Sequence, residues 1–308
     1  MTQVALTVTK GSLSRAAAGK VLLLADAAHA ADGVAPLSED ARYTVTGGGK
    51  GVRHLSLTLP DGTVIGYAHL VPAAAGAPDD DRSGELLVSP AYRRRGLGSA
   101  LAAELVNLAA GRRVRVWAHG DLPAAAALAA SAGFTRVRSL WRLRINLKDA
   151  ALPEPGFPAG VTVRTFEPGA DEEAWLSVNS RAFAHHPEQG SWTSDDLRLR
   201  EEEAWFDPAG FFLAERDGRL AGFHWTKVHP DGDENGEPIG EVYVVGVDPG
   251  QQGGGLGRAL TVAGLAHLRD RGLGSVMLYV DEDNAAAVRM YMALGFIRWS
   301  ADAMYRSA

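Results

Sequence analysis

The chain has 308 residues, 46% of them apolar and 22% charged, which fits a soluble globular protein long enough for two domains. It contains no cysteine, and this excludes disulfides, thiolate metal sites and a cysteine nucleophile. Its net charge of −6 divides unevenly, with 18 Lys and Arg against 12 Asp and Glu in residues 1–150 and 13 against 25 in residues 151–308. Solvated surface explains that split, as would an acidic half that favours a cationic substrate and a basic half that favours an anionic ligand. The basic residues do not alternate with stacking aromatics, so no nucleic-acid partner is expected. No apolar run of about 18 residues is present, and Met1-Thr2-Gln3-Val4 does not begin a secretion signal, so the expectation is a cytoplasmic protein without a membrane partner.

In chain order, His54 to Tyr67 reads as a hairpin with Asp61-Gly62 at its turn. A loop follows from Ala73 to Arg82, in which Asp79-Asp80-Asp81 reads as a solvated turn. The short apolar run Leu86-Leu87-Val88 is a strand, and after Pro90 a glycine-rich turn opens an Ala/Leu-rich helix. The Pro-rich stretch Asp149 to Pro158 suits a stiff linker and places a boundary near residue 152, giving domains 1–151 and 152–308. The second half reads as a strand at Val161–Arg164, a helix at Asp171–Phe183, a hairpin over 211–228, a loop from His229 to Pro238 and a long strand at Gly240–Val247. A second glycine-rich turn then leads to a helix at Gly257–Arg271, a strand at Val276–Val280, a helix at Asn284–Leu294 and a last strand near Ile297–Tyr305.

The halves repeat one another. Pro90 to Leu101 returns as Pro249 to Leu260 at an offset of 159, the Asp-Gly hairpin turns recur at 156, and Gly133-Phe134 recurs as Gly295-Phe296 at 162. Such a strand, glycine-rich turn and helix start form an anion site, because unpaired amides and the helix dipole converge there. Position 258 is arginine where a dinucleotide fold needs its third glycine, and neither copy ends in Gly-Lys-Ser/Thr as a nucleoside-triphosphate loop does. Both copies do fit Gln/Arg-x-x-Gly-x-Gly, as Arg93, Gly96, Gly98 and Gln252, Gly255, Gly257.

That doubled pattern, with Leu294-Gly295-Phe296 after a helix that begins at Asn284, resembles the acetyl-CoA loop of the GNAT acetyltransferase superfamily. The resemblance implies an α/β (α+β) fold of two tandem GNAT-type domains, each a mixed, mostly antiparallel sheet flanked by helices. It implies acetyl-CoA as acetyl donor, with a second molecule in the N-terminal domain. Aligning the copies places Arg82 opposite Glu241, and Ala129 opposite Tyr291. Only the second half thus holds a carboxylate before the loop and a phenol after it. Transfer of an acetyl group to an amine needs a proton removed from the amine and one returned to the departing thiolate. Glu241 is the expected general base and, by the resemblance, Tyr291 the general acid. Amides near Val245 and Val247 are expected to pair with the pantetheine arm and polarise the thioester carbonyl.

The stretches Arg181 to Gly190, Gly222 to Pro230 and Gly240 to Pro249 are similar to the actinobacterial mycothiol synthase family, whose members acetylate the cysteinyl amine of a cysteine–glucosamine–inositol pseudodisaccharide. This likeness implies substrate contacts at Glu39, Glu188, Lys227, Glu241 and Tyr279, Glu39 coming from the first half. It implies acetyl-CoA contacts at Val245, Gly246, Val247, Gln252, Gly253, Gly254, Gly255, Leu256, Gly257 and Arg258, and at Asn284, Ala285, Ala286, Ala287, Val288 and Arg289. In the first half the corresponding contacts are Leu86, Leu87, Val88, Arg94, Arg95, Gly96, Leu97, Gly98 and Ser99. His185-His186 has no third ligand at a useful spacing, so no metal is expected. Trp192, Trp205 and Trp225 fit either core packing or stacking on a sugar. A monomer suffices for this reading. Two alternatives stand beside it: a tandem acetyltransferase for another amine, such as an aminoglycoside or a protein N-terminus, and a non-catalytic acyl-CoA sensor.

Overall fold

The computed structural model describes residues 4–73, 80–185, 189–232 and 236–308. They fall into two compact units, Met1–Leu140 with Ser300–Ala308, and Trp141–Trp299. In chain order the first half forms β1 (Ala5–Lys10), α1 (Arg15–Asp32), α2 (Glu39–Gly47), β2 (Arg53–Thr58), β3 (Val64–Val71), β4 (Arg82–Val88), α3 (Leu97–Leu108), β5 (Val114–Ala118), α4 (Pro123–Ser131) and β6 (Phe134–Asn146). The second forms β7 (Val161–Thr165), α5 (Glu172–Ala182), α6 (Ser194–Glu201), β8 (Phe211–Arg216), β9 (Arg219–His229), β10 (Ile239–Val247), α7 (Leu256–Asp270), β11 (Ser275–Asp281), α8 (Ala285–Ala293) and β12 (Ile297–Ser307).

The compact units do not part at the Pro-rich stretch. They part inside strands, at Leu140/Trp141 and Trp299/Ser300. The end of β12 pairs with β5, from Ala303 opposite Ala118 to Arg306 opposite Arg115, and so completes the first unit. Within that unit the strands run β1-β2-β3-β4-β5-β12, and within the second β6-β11-β10-β9-β8-β7. Backbone pairing is the physical reason: a strand belongs to the sheet that satisfies its amides, whichever half of the sequence supplies it.

Local signals account for most boundaries. Ser14 and Ser38 cap α1 and α2 by accepting amide hydrogens from Ala17 and Ala41. Thr193 and Asp196 form a reciprocal capping box at the start of α6. The turn between β8 and β9 is Asp217-Gly218, both with positive φ (51° and 71°), the two-residue geometry that matches strand twist. The first unit buries Leu55, Leu57, Ile65, Leu101 and Leu105 between sheet and α3, and Val21, Leu24, Tyr67 and Leu87 under α1 and α2. In the second unit Val242, Val262, Leu265, Leu278 and Tyr291 form the core on the α7–α8 face. Trp175, Phe211, Phe223, Trp225 and Val244 form the core on the other face.

The first unit also buries charge that the sequence reading did not anticipate. Glu85 on β4 accepts the Ser38 amide at 2.9 Å and lies 3.5 Å from His119 Nε2, an ion-pair rather than hydrogen-bond distance. His119 Nδ1 meets Asp302 Oδ2 at 3.0 Å, and Asp302 Oδ1 accepts the Gly120 amide at 2.7 Å. Asp81, expected in a solvated turn, instead holds Arg115 at 2.9 Å and Arg306 at 2.6 Å, its carboxylate only 6% exposed. These contacts tie β4, β5 and the end of β12 together.

Burial opposes charge on His119, but Asp302 and Glu85 outweigh it and lift its pKa to about 10. Burial pushes Glu85 up, yet His119, His69 and Ser38 bring it down to about 2. The imidazolium contribution to stability is therefore complete below the free value of 6.5 and fades as pH rises toward 10. The Glu85 contribution is complete above 4.5 and fades as pH falls toward 2. Denaturant titrations across pH should show a plateau between these limits. His119→Ala, which leaves two buried carboxylates without their cation, is expected to lower stability by roughly 3–5 kcal/mol on that plateau.

Candidate active site

The two glycine-rich turns have the same backbone. Arg94 and Gly96 in the first unit, and Gly253 and Gly255 in the second, all have positive φ (61°, 79°, 85° and 83°). Gly96 and Gly255 stand immediately before α3 and α7 in the left-handed conformation, so the first-turn amides of each helix are left without a carbonyl partner. Residues Gln252 to Gly255 are exposed. The first residue of each motif reaches back to the strand before it: Arg93 Nε donates to the Val88 carbonyl at 3.1 Å, and Gln252 Nε2 to the Val247 carbonyl at 3.2 Å. These side chains clamp the loop to the preceding strand, and the backbone is what remains to meet an anion. Arg93 is further held by a two-pronged pair with Asp32 at 2.7 Å. Arg95 lies over the Tyr92 ring.

The strand before each loop leaves its neighbour early. β10 pairs with β11 only from Gly240 to Val242, opposite Val276 to Leu278, although both strands continue. β4 pairs with β5 only from Arg82 to Gly84. On the splayed side of Val245 to Val247 and of Leu86 to Val88 no strand is paired, the Val247 and Val88 carbonyls taking only the Gln252 and Arg93 side chains, while both segments remain paired to β9 and β3 on the other side. An unpaired extended strand is a surface onto which an amide-containing arm can add. The units differ at one point. β10 carries a bulge between Val242 and Val244, leaving Tyr243 as the extra residue, and the β3–β4 register is unbroken. This extra residue corrects the alignment made from sequence: Ser83, not Arg82, occupies the place of Glu241, since both lie at the middle of the short parallel pairing. The first unit has no carboxylate there; Glu85 stands two residues on.

Register places the charged groups of the second unit. Glu241 lies opposite Lys227 on β9 and opposite Met277 on β11, so Lys227, Glu241 and Tyr279 share one face of the sheet. Lys227 and Glu241 are buried and Tyr279 is exposed. Glu241 Oε2 is bonded to His229 Nε2 at 2.6 Å, a partner the sequence reading missed because nothing in the loop His229 to Pro238 signals it. The Lys227 ammonium sits 4.2 Å over the Trp205 ring and 5.0 Å from that of Tyr243. Arg200 lies over Trp192 at 3.9 Å and donates from Nε to the Tyr243 hydroxyl. Trp225 is fully buried core, whereas Trp192 and Trp205 are part-exposed and form the aromatic wall beside Lys227.

Tyr291 projects from α8 into the core on the opposite face, against Phe296. Burial pushes its hydroxyl pKa up, which keeps the phenol protonated, the form that can donate. Among the described residues no hydrogen bond joins Tyr291 to Glu241. Asn284 caps α8, its Oδ1 accepting the Ala287 amide, and Ala285 to Arg289 form the first turns of that helix. Glu39 opens α2 in the first unit, where the Tyr43 hydroxyl donates to it at 3.4 Å. Glu188 lies outside the described residues. The first unit has a cleft of about 610 Å³ whose walls include Leu86, Val88, Arg94, Gly96, Trp117 and His119. Among the described residues no group of three or more His, Asp or Glu side chains could hold a metal ion, and no helix is long and apolar enough to cross a membrane.

Two splayed strands, each ending in a glycine-rich turn at a helix start, define a tandem acyltransferase architecture. The acetyltransferase (GNAT) family profile matches residues 36–134 and 175–296, and the chain belongs to that family. It is 62% identical to the mycothiol acetyltransferase of Thermomonospora curvata over 94% of this chain and 93% of that protein. It is 60% identical to the mycothiol acetyltransferase of Thermobispora bispora, over 93% and 94%. Among solved structures it is similar to a GCN5-related N-acetyltransferase from Sphaerobacter thermophilus, at 25% identity and a TM-score of 0.69 over 97% and 95% of the two chains. It also shares its fold with a tandem GNAT protein from the clavulanic acid biosynthesis pathway, at 21% identity and a TM-score of 0.72 over 98% of each chain.

Gly255→Ala tests the turn directly. A Cβ there meets nothing within 4 Å, but φ of +83° strains any side chain, at a cost of about 1–2 kcal/mol. Relaxing that strain would turn the α7 amides aside. Thermal melts should show the loss of stability, and initial rates a several-fold rise in KM for acetyl-CoA.

Proposed function

We propose that the chain transfers the acetyl group of acetyl-CoA to the cysteinyl amine of the cysteine–glucosamine–inositol pseudodisaccharide, the last step of mycothiol synthesis. The observation that carries this reading is the splay of β10 beyond its bulge, with Glu241 beside it and the α7 turn at its end. High identity along the whole length to the mycothiol acetyltransferases supports the choice of acceptor.

In this reading the pyrophosphate of acetyl-CoA lies on the amides from Gln252 to Arg258, and the pantetheine arm runs along Val245 to Val247 and past Asn284 to Arg289. Amides of the splayed strand polarise the thioester carbonyl. Glu241 takes a proton from the substrate ammonium, directly or through a water, and the freed amine attacks the carbonyl carbon. As the C–N bond forms and the C–S bond breaks, Tyr291 donates its proton to the departing sulfur. The sugar and inositol hydroxyls fit the polar and aromatic face of Lys227, Tyr279, Trp192 and Trp205. The first unit holds a second acetyl-CoA along Leu86 to Val88 and Arg94 to Ser99, without turnover, because Ser83 and Ala129 stand where the second unit has Glu241 and Tyr291. The chain acts as a monomer in the cytoplasm and needs no metal.

Incubation with acetyl-CoA and a panel of amines should give acetylation of the cysteinyl pseudodisaccharide above aminoglycosides and peptide N-termini; turnover of another amine alone would replace the acceptor. Calorimetry is expected to count two acetyl-CoA per chain. Tyr291→Phe, which preserves packing, should lower kcat by roughly 10²-fold or more, and Glu241→Gln should flatten the rise of rate with pH between about 6 and 8.

A further inference from the structure

We propose that His229 is a positioning residue for this reaction: its Nε2–H, donated to Glu241 Oε2, pins one carboxylate oxygen and leaves Oε1 to take the amine proton. The inference rests on the reading of Glu241 as the base. The two side chains meet at 2.6 Å, and an ionised carboxylate can only accept, so the proton of this bond belongs to the imidazole. Among the described residues this is the only hydrogen bond to the Glu241 side chain. The glutamate side chain is 8% exposed and that of His229 30%, so the bond runs from a dry carboxylate to a partner in contact with water.

The sheet builds the pair. Lys227 lies opposite Glu241, and His229, two residues further along β9, emerges on the same face opposite Ile239. A free glutamate carboxylate has several rotamers. Held through Oε2 it has one, and the loss of rotamer freedom has been met in folding rather than at the moment of reaction. The other charged groups of this face are Lys227, over Trp205 and Tyr243, and Arg200, bonded to the Tyr243 hydroxyl; Asp231 and Glu237 lie on the connection between β9 and β10. The proton count closes without net change at His229. The ammonium N–H bond breaks and its proton passes to Oε1, while Nε2–H remains in place.

The test compares His229→Ala, His229→Gln and Glu241→Gln in the full chain, with acetyl-CoA and the cysteinyl pseudodisaccharide. His229→Ala should lower kcat by roughly 10–100-fold and leave KM for acetyl-CoA unchanged. His229→Gln, whose amide can donate from about the same place, should recover most of the rate. Wild-type kcat in His229→Ala, with Glu241→Gln inactive, would overturn the role of His229 and leave that of Glu241 intact. Equal loss in the alanine and glutamine variants would reduce His229 to packing. Full activity of Glu241→Gln would remove both assignments.

Discussion

The parting of β10 from β11 after only three paired residues is the constraint on which the site depends. A strand that leaves its neighbour exposes backbone donors and acceptors that folding otherwise satisfies, and such groups are costly unless a ligand or water replaces the lost partner. The same break opens the sheet between the face that carries Glu241 and the face whose core contains Tyr291. The bulge at Tyr243 adjusts which residues turn toward each face, so the strand before the bulge presents Glu241 and the strand beyond it presents bare backbone.

The first unit has the splay without the bulge, and the space near its start is filled differently. Glu85, His119 and Asp302 form a buried charged cluster across β4, the end of β5 and β12, where the second unit has Val244 and Asp281 at the corresponding places. Buried charge of this kind is weak evidence for stability in itself, but once present it must be kept complete. The cleft beside it retains the glycine-rich turn. Duplication has thus left one unit with a carboxylate poised beside a splayed strand and the other with its carboxylate committed to a cation.

Much of this was legible in the sequence because it depends on local chemistry. Glycine is the residue that adopts positive φ without strain, so Gly96, Gly253 and Gly255 mark the turns, and Arg94 is the exception the other landmarks made readable. The hairpins, α5, α7, α8 and β11 fall within a few residues of their predicted bounds, since hydrophobic period and turn residues act over short distances. Less was legible wherever distant segments meet. The second unit boundary, the Asp81–Arg306 ion pair and the Asp302 partner of His119 all involve β12, about 180 or more residues further along the chain.

The sequence by itself determined the duplication, the fold class and the glycine-rich turns, because each is written in residues that are neighbours along the chain. It also singled out Glu241 and Tyr291 through the loss of symmetry between the halves. Only the tertiary structure decided that Ser83 rather than Arg82 answers Glu241, that Gln252 clamps the loop by its side chain, and that His229 holds Glu241. A one-residue bulge and a cross-strand bond are products of register, and register is fixed by the packing of whole sheets rather than by any short stretch of sequence.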